Sequence, residues 1–190
     1  MNKLLRMGAL LAIVGVPFGV AHASADSATV RLFRNSDQSG GYFAKSYGYA
    51  VFPTIGKGGL GIGAAHGSGN VYERGRRIGH VTMNQLSVGL QAGGEAYSEI
   101  IFFRDRRALD AFTSGKFEFS ADVGAIAITA SANVSVATTG TGAGASIGKK
   151  DAATAGQYTH GMAVFTIAKG GLMYNASVAG QKFSYRRARS

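Results

Sequence analysis

Few residues in this 190-residue chain have the types needed for chemistry: four histidines, ten acidic side chains, no cysteine and no tryptophan. Without cysteine there is no thiolate nucleophile, iron–sulfur cluster, thiolate zinc site or disulfide. His66, His80 and His160 are far apart in sequence and lack the H-x-x-x-H spacing of a zinc site. Glu95 and Glu99 could approach each other near a strand end, but two carboxylates there do not define a glycosidase pair. Gly56-Lys57-Gly58-Gly59-Leu60-Gly61 fits the dinucleotide pattern G-x-G-x-x-G, yet Ile62 to Gly67 is too glycine-rich for the helix that must follow, and the ribose-binding acid is missing. Gly144-Ala145-Ser146-Ile147-Gly148 has the spacing of a nucleophile elbow, but it lies in a Gly/Ala/Ser tract without the flanking strand and helix. Ala143 to Lys150 misses a phosphate-binding loop at the first glycine and at the hydroxyl after lysine. No catalytic constellation emerges. The expectation is a protein that is not an enzyme and uses no metal or cofactor.

What remains is positive charge. Twenty Lys and Arg against ten Asp and Glu give a net charge of +10. The cations cluster: Arg74, Arg76 and Arg77 at one turn, Arg104, Arg106 and Arg107 after a strand, Lys149 with Lys150 at a loop, and Lys57 and Lys169 in two Lys-Gly-Gly turns. Such corners attract anionic surfaces. At about 1 kcal/mol per basic residue, five supply roughly 5 kcal/mol, a dissociation constant on the order of 0.1 to 1 mM. Firm membrane binding therefore needs apolar insertion too, for which the Phe43 region and the loop 137–148 are the candidates.

The N-terminus reads as an export signal. Lys3 and Arg6 precede an apolar stretch from Met7 to Val20, and the small residues around Ala23 and Ala25 offer cleavage sites, so the mature chain is expected to start at Ser24 or Asp26 with a charge of +8. A periplasmic or secreted location makes nucleic acid a poor partner and leaves phospholipid head groups and acidic polymers as the anions at hand.

The elements that must position these groups are mostly strands. The sequence predicts an α+β fold, predominantly antiparallel β, as a sheet system or partly closed barrel of hairpins with one or two short helices. Residues 1–25 form the signal, 26–42 an N-terminal segment, 43–185 the binding domain and 186–190 a basic tail. In the N-terminal stretch 26–45 a short helix ends in a loop at Gly40-Gly41, with Val30, Leu32, Phe33, Phe43 and Ala44 as buried positions. Strand patterns cover Tyr49 to Ile55 and Leu60 to His66, with turns at Gly56–Gly59, Gly67–Asn70 and Glu73–Arg76. From Gln85 to Ala92, apolar Leu86, Val88, Leu90 and Ala92 alternate with small or polar residues, the mark of a strand with one wet face. Ser98 to Arg104 is more apolar and reads as fully buried. Asp105 is placed to cap a helix running to Ser114, with Ala108, Leu109 and Phe112 on one face and Gly115 as its stop. Phe117, Phe119, Ala121 and Val123 alternate again. Tyr158 to Ile167 and Leu172 to Phe183 are expected to close the sheet as a hairpin.

One internal echo recurs. Ala50-Val51-Phe52, then Thr54-Ile55-Gly56-Lys57-Gly58-Gly59-Leu60, matches Ala163 to Leu172 at nine of ten positions once Pro53 is set aside. Pro53 adds a residue that must sit in a bulge or on an edge strand, or every later side chain changes face.

Tyr49-Ala50-Val51-Phe52-Pro53, the Gly56–Gly61 string, Gln91-Ala92-Gly93-Gly94, Ala96-Tyr97-Ser98-Glu99, Ile101-Phe102-Phe103 and Lys169-Gly170-Gly171-Leu172-Met173-Tyr174 together resemble the SYLF domain family over about residues 43–185. That resemblance implies a lipid-binding module; eukaryotic members bind phosphoinositides and a yeast member binds and bundles actin. It also implies that residues 27–45 correspond to an amphipathic membrane segment. The chain differs in its export signal and in carrying Ile78-Gly79-His80-Val81-Thr82 where a Trp-Ser block is often found. An exported protein would not meet actin, so bulk anionic phospholipid is the expected partner, with Lys57, Lys169, Arg74, Arg76 and Arg77 touching head groups. Two other readings are a small outer-membrane β-barrel, against which the Arg-rich terminus and the helix after Asp105 argue, and a structural or interaction module for acidic polymers.

Overall fold

In the computed structural model, residues 18–120, 123, 125–128, 135–136, 158–169 and 178–189 are described. The alternating stretches from Tyr49 onward form two very long strands. β1 (Gly48–Glu73) and β2 (Arg76–Phe103), of 26 and 28 residues, pair antiparallel along almost their whole length. Arg74 and Gly75, with φ of 47° and 80°, make the tight turn between them. The other two predicted turns do not exist: Gly56–Gly59 and Gly67–Asn70 both lie inside β1, opposite Gly93–Ala96 and His80–Met83 of β2. In the second string the glycines serve close approach instead. A Cβ on Gly67 would strike the Ile55 side chain, and one on Gly69 would strike the Val51 carbonyl. The second half of β1 therefore lies against its first half. The crease falls between Leu60 and Ile62, where one residue of β1 faces three of β2. Folded there, the hairpin becomes a curled half-barrel.

Shorter elements complete it: α1 (Phe18–Arg34), α2 (Tyr42–Lys45), α3 (Arg106–Phe112), β3 (Lys116–Glu118), β4 (Ala125–Ile128), β5 (Ser135–Val136), β6 (Met162–Ala168) and β7 (Lys182–Arg187). β6 pairs with Tyr97–Phe103 of β2 and β7 with Gly79–Asn84, end to end along one edge. Most of the second strand of the expected hairpin, Leu172 to Phe183, lies outside the described residues; β6 takes β4 as its other neighbour, in parallel, and β7 takes β3. β5 pairs with β4 at the end of the strand order. Arg186 and Arg187, expected in a tail, are strand residues of β7.

Both faces of the sheet are apolar at its centre, because both are covered. The inner face packs Phe52, Ile55, Met83, Phe103, Phe112, Phe119 and Phe183 in one core. On the outer face Val51, Ile100, Phe102, Ala163 and Phe165 are covered by Phe33 of α1 and by Tyr42 and Phe43 of α2. The echo acquires a physical meaning here. Phe52 points inward and Phe165 outward, so identical Ala-Val-Phe tripeptides on the two sides of β2 serve opposite cores. Pro53 and Thr54 sit in a bulge opposite Ser98, whose hydroxyl donates to the Pro53 carbonyl at 2.7 Å. That bulge keeps Ile55 on the same face as Phe52.

Asp105 caps α3 as the sequence indicates, accepting from the Ala108 amide at 2.9 Å, and the buried face is Ala108, Leu109 and Phe112. Two burial expectations fail. Gln85 is buried and donates to the Ala179 carbonyl at 2.9 Å, whereas Leu86 is 79% exposed. Strand alternation from inward-facing Val81 and Met83 decides this, not hydropathy. On α1, a 17-residue helix rather than a short one, Asp26, Thr29 and Phe33 form the inward stripe, which leaves Leu32 54% exposed; Ala44 of α2 is exposed as well.

Candidate functional site

The cationic residues singled out by sequence fall into two groups at opposite ends of the first half of β1, a span of roughly 30 Å for its nine-residue separation. At the basal end, Tyr47 brings two of the arginine clusters together. Its amide donates to the Phe103 carbonyl at 2.8 Å and its carbonyl accepts from the Arg74 amide at 3.2 Å. The Arg74 guanidinium lies 5.0 Å over the Tyr47 ring, and the Tyr47 hydroxyl donates to Glu73 at 2.6 Å. That hydrogen bond to Glu73 is the main reason the Tyr47 phenol titrates above its ordinary value, with Arg74 and Arg106 opposing it. Arg76 and Arg77 follow the turn and are exposed, with no salt bridge among the described residues. Arg104 is exposed and contacts Asp105 at 3.2 Å, and Arg106 contacts Asp110 at 3.5 Å. The hydrogen bond from the Ala108 amide, then Arg104, holds the Asp105 carboxyl below the usual range. Next to Arg104 opens a cleft of about 580 Å³, lined also by Lys45, Asp37, Tyr42 and Tyr158.

At the other end, Lys57 is half-buried opposite Glu95 on β2. Lys169 reaches across β2 and donates to the Thr54 hydroxyl on β1 at 2.8 Å. The two Lys-Gly-Gly copies therefore place their lysines at one end of the sheet. Lys149 and Lys150 lie outside the described residues, as do the loop 137–148 and the Ser146 string.

Phe43, a candidate for insertion, is engaged instead in packing. Tyr42, Phe43, Tyr49 and Phe165 surround Phe102 with ring centroids 4.8 to 6.3 Å away, and Arg34 covers the Phe43 ring. Burial raises the phenol pKa of Tyr42, Tyr49 and Tyr158, so these rings stay neutral inside the cluster. Gly56–Gly61 is extended strand, which removes the helix a dinucleotide site requires. His66 pairs with Asn84 at 2.8 Å, and among the described residues no group of three or more His, Asp or Glu side chains could hold a metal.

Two polar sites escaped the sequence reading. Asp26, on the inward face of α1, is buried, and its Oδ2 accepts from Asn70 at 2.7 Å and from Tyr72 at 2.6 Å. Burial and this hydrogen bond push the Tyr72 phenol well above its ordinary value. Glu99 is wholly buried in the inner core, with Gln181 donating to its Oε2 at 2.9 Å and to the Tyr97 hydroxyl at 3.3 Å. Glu99 Oε1 and Gln181 Oε1 have no partner among the described residues. Burial pushes the Glu99 carboxyl up to about 7, so it is neutral at acid pH. Glu99 sits in a stretch with no polar period, and its partner is 82 residues away. Also missed were Lys116, Lys182 and Arg186, although Lys182 to Arg186 alternates cation, aromatic and small residue at strand spacing.

Comparison with known proteins agrees with the motif blocks. Residues 84–189 match the family model Ysc84, described as a Las17-binding protein actin regulator. The chain is similar to beta cell expansion factor A of Aeromonas veronii, 31% identical over 161 residues that cover 84% of this chain and 53% of that protein. It thus spans about half the length of the curated relative it matches. With the family match covering more than half of its residues, the chain belongs to the Ysc84, or SYLF, family.

Proposed function

We infer that this protein is an exported, non-catalytic adaptor that binds anionic phospholipid at a membrane surface. The observation that carries the reading is the exposure of its cations. Arg74, Arg76 and Arg77, with Arg104 and Arg106 beside them through Tyr47, form a basal cationic corner in which carboxylates neutralise only part of the charge. Family membership supports a lipid-binding or actin-regulator-like domain. The face pattern speaks against a transmembrane β-barrel: aromatic side chains fill the inside, whereas the outside carries Ser68, Ser184, Lys182 and Arg186, the reverse of a lipid-embedded strand. No described helix is long and apolar enough to cross a membrane.

Co-sedimentation of the protein with phosphatidylcholine vesicles, with and without phosphatidylglycerol, at two ionic strengths tests this. Pelleting is expected only with the anionic vesicles, and weaker at high salt. Equal pelleting with both, or none with either, overturns it. The family's description as an actin regulator favours a second reading, an acidic protein filament as partner; pelleting with filamentous actin at the same salt would favour that one. Export is tested by the N-terminus of the secreted protein, expected at Ser24 or Asp26. Ala23 and Ala25 fall within α1, so cleavage must precede the docking of that helix.

A further inference from the structure

The outer face of the sheet is clothed at one end and bare at the other. Its basal half lies under α1 and α2. Its far half, beyond Ser68 on β1 and Thr82 on β2, has no such cover among the described residues, and there Ile62 is 66% and Leu86 79% exposed with exposed Ala64 beside them. Leu86 is directly opposite Ala64, and Ile62 is two pairs further toward the crease, on the same face. Paired residues of antiparallel strands share a face, so the rows behind this tip can be read across the sheet. Next comes His66–Asn84–Lys182–Glu118, then Ser68–Thr82–Ser184–Lys116, then Asn70–His80–Arg186. Lys116, Lys182 and Arg186 are exposed on that face, and Glu118 balances only one of them, at 3.6 Å from Lys182.

We propose that this far outer face, with Ile62 and Leu86 leading, Lys182 and Lys116 behind them and Arg186 at its basal edge, is the surface that docks on an anionic bilayer. It rests on the phospholipid reading above and supplies the apolar contact that the basal arginines lack. Charge complementarity selects the occupant: an apolar tip backed by cations matches the acyl boundary backed by phosphates. A strand pair is suited to the task, since its backbone bonds are already satisfied within β1–β2.

The experiment uses the same vesicles with the full chain. Ile62→Ser and Leu86→Ser should each weaken binding about tenfold, and the double variant about a hundredfold, with unchanged thermal melting because both positions are exposed. The protein has no tryptophan, so Leu86→Trp is a unique probe. Its emission should shift blue on adding anionic vesicles and be quenched by brominated acyl chains. Wild type that binds while the double variant binds equally well overturns this surface and leaves the phospholipid reading intact; wild type that binds no vesicle overturns that reading itself. Binding lost only on charge reversal of Arg74, Arg76 and Arg77 also overturns the far face. So does Leu86→Trp emission already blue before lipid is added: reversal on dilution would then identify a second copy of the chain as the cover, and persistence would identify the chain's own residues.

Discussion

The two ends of the outer face are built from the same two strands and behave as different materials. At the basal end, Tyr49, Val51, Ile100 and Phe102 would be an exposed apolar patch if α1 and α2 did not lie on them. At the far end Ile62 and Leu86 are such a patch. The difference teaches that apolar residues on this sheet do not by themselves mark a core; what covers them decides whether they contribute to stability or to contact.

The sharpest way to break the comparison is truncation at each end. Phe102→Ala should cost about 3–5 kcal/mol in urea unfolding, because four rings lose their common partner. Leu86→Ala should change stability by no more than about 0.5 kcal/mol. Equal losses at the two positions would falsify the distinction.

The inner face offers a pH test. Glu99 binds its proton more tightly folded than unfolded, with a folded value of about 7 against an ordinary value of 4.5. Its contribution is therefore full below about pH 4.5, falls as pH rises toward 7, and levels off above that, a change on the order of 3 kcal/mol. Glu99→Gln should remove this part of the slope, so that the variant gains on wild type between pH 5 and 8 in unfolding titrations, as roughly expected from that linkage. Parallel slopes for the two proteins would exclude the account.

The cover itself can be loosened. Asp26→Ala leaves the Asn70 and Tyr72 donors buried beneath α1 without their acceptor, at a cost of about 1–3 kcal/mol. Amide exchange should rise in α1 before it rises in β2. Uniform exchange across both would mean that the helix does not come off as a unit. The smallest effect on stability belongs to the basal end: Asp105→Ala removes the α3 cap and should lower stability by about 1 kcal/mol, while freeing Arg104 from its carboxylate partner should leave binding to anionic vesicles no weaker.

The β-rich class, the buried strand at Ser98–Phe103 and the capped helix after Asp105 were legible because each rests on local signals: apolar runs, alternation and a capping side chain. The turn at Arg74-Gly75 was legible for the same reason. The glycine strings were not. Gly67 and Gly69 look like turn residues, and only the fold shows that they make room for Ile55 and Val51 brought from a dozen or more residues away. Nor could sequence say which end of the sheet would be covered. The orientation of Gln85 and Leu86 contradicts their hydropathy because neighbouring inward residues on the same strand fix the alternation.

By itself, the amino-acid sequence determined the cationic balance, the strand-rich class and the family, since these depend on composition and on order along the chain. Tertiary structure alone decided the joining of the Arg74 and Arg104 clusters through Tyr47, the burial of Glu99 against Gln181, and the exposure of Ile62 and Leu86. The physical reason is the same in each case: these properties arise between residues far apart in the chain, and a strand folded back on itself sets distances that no local pattern encodes.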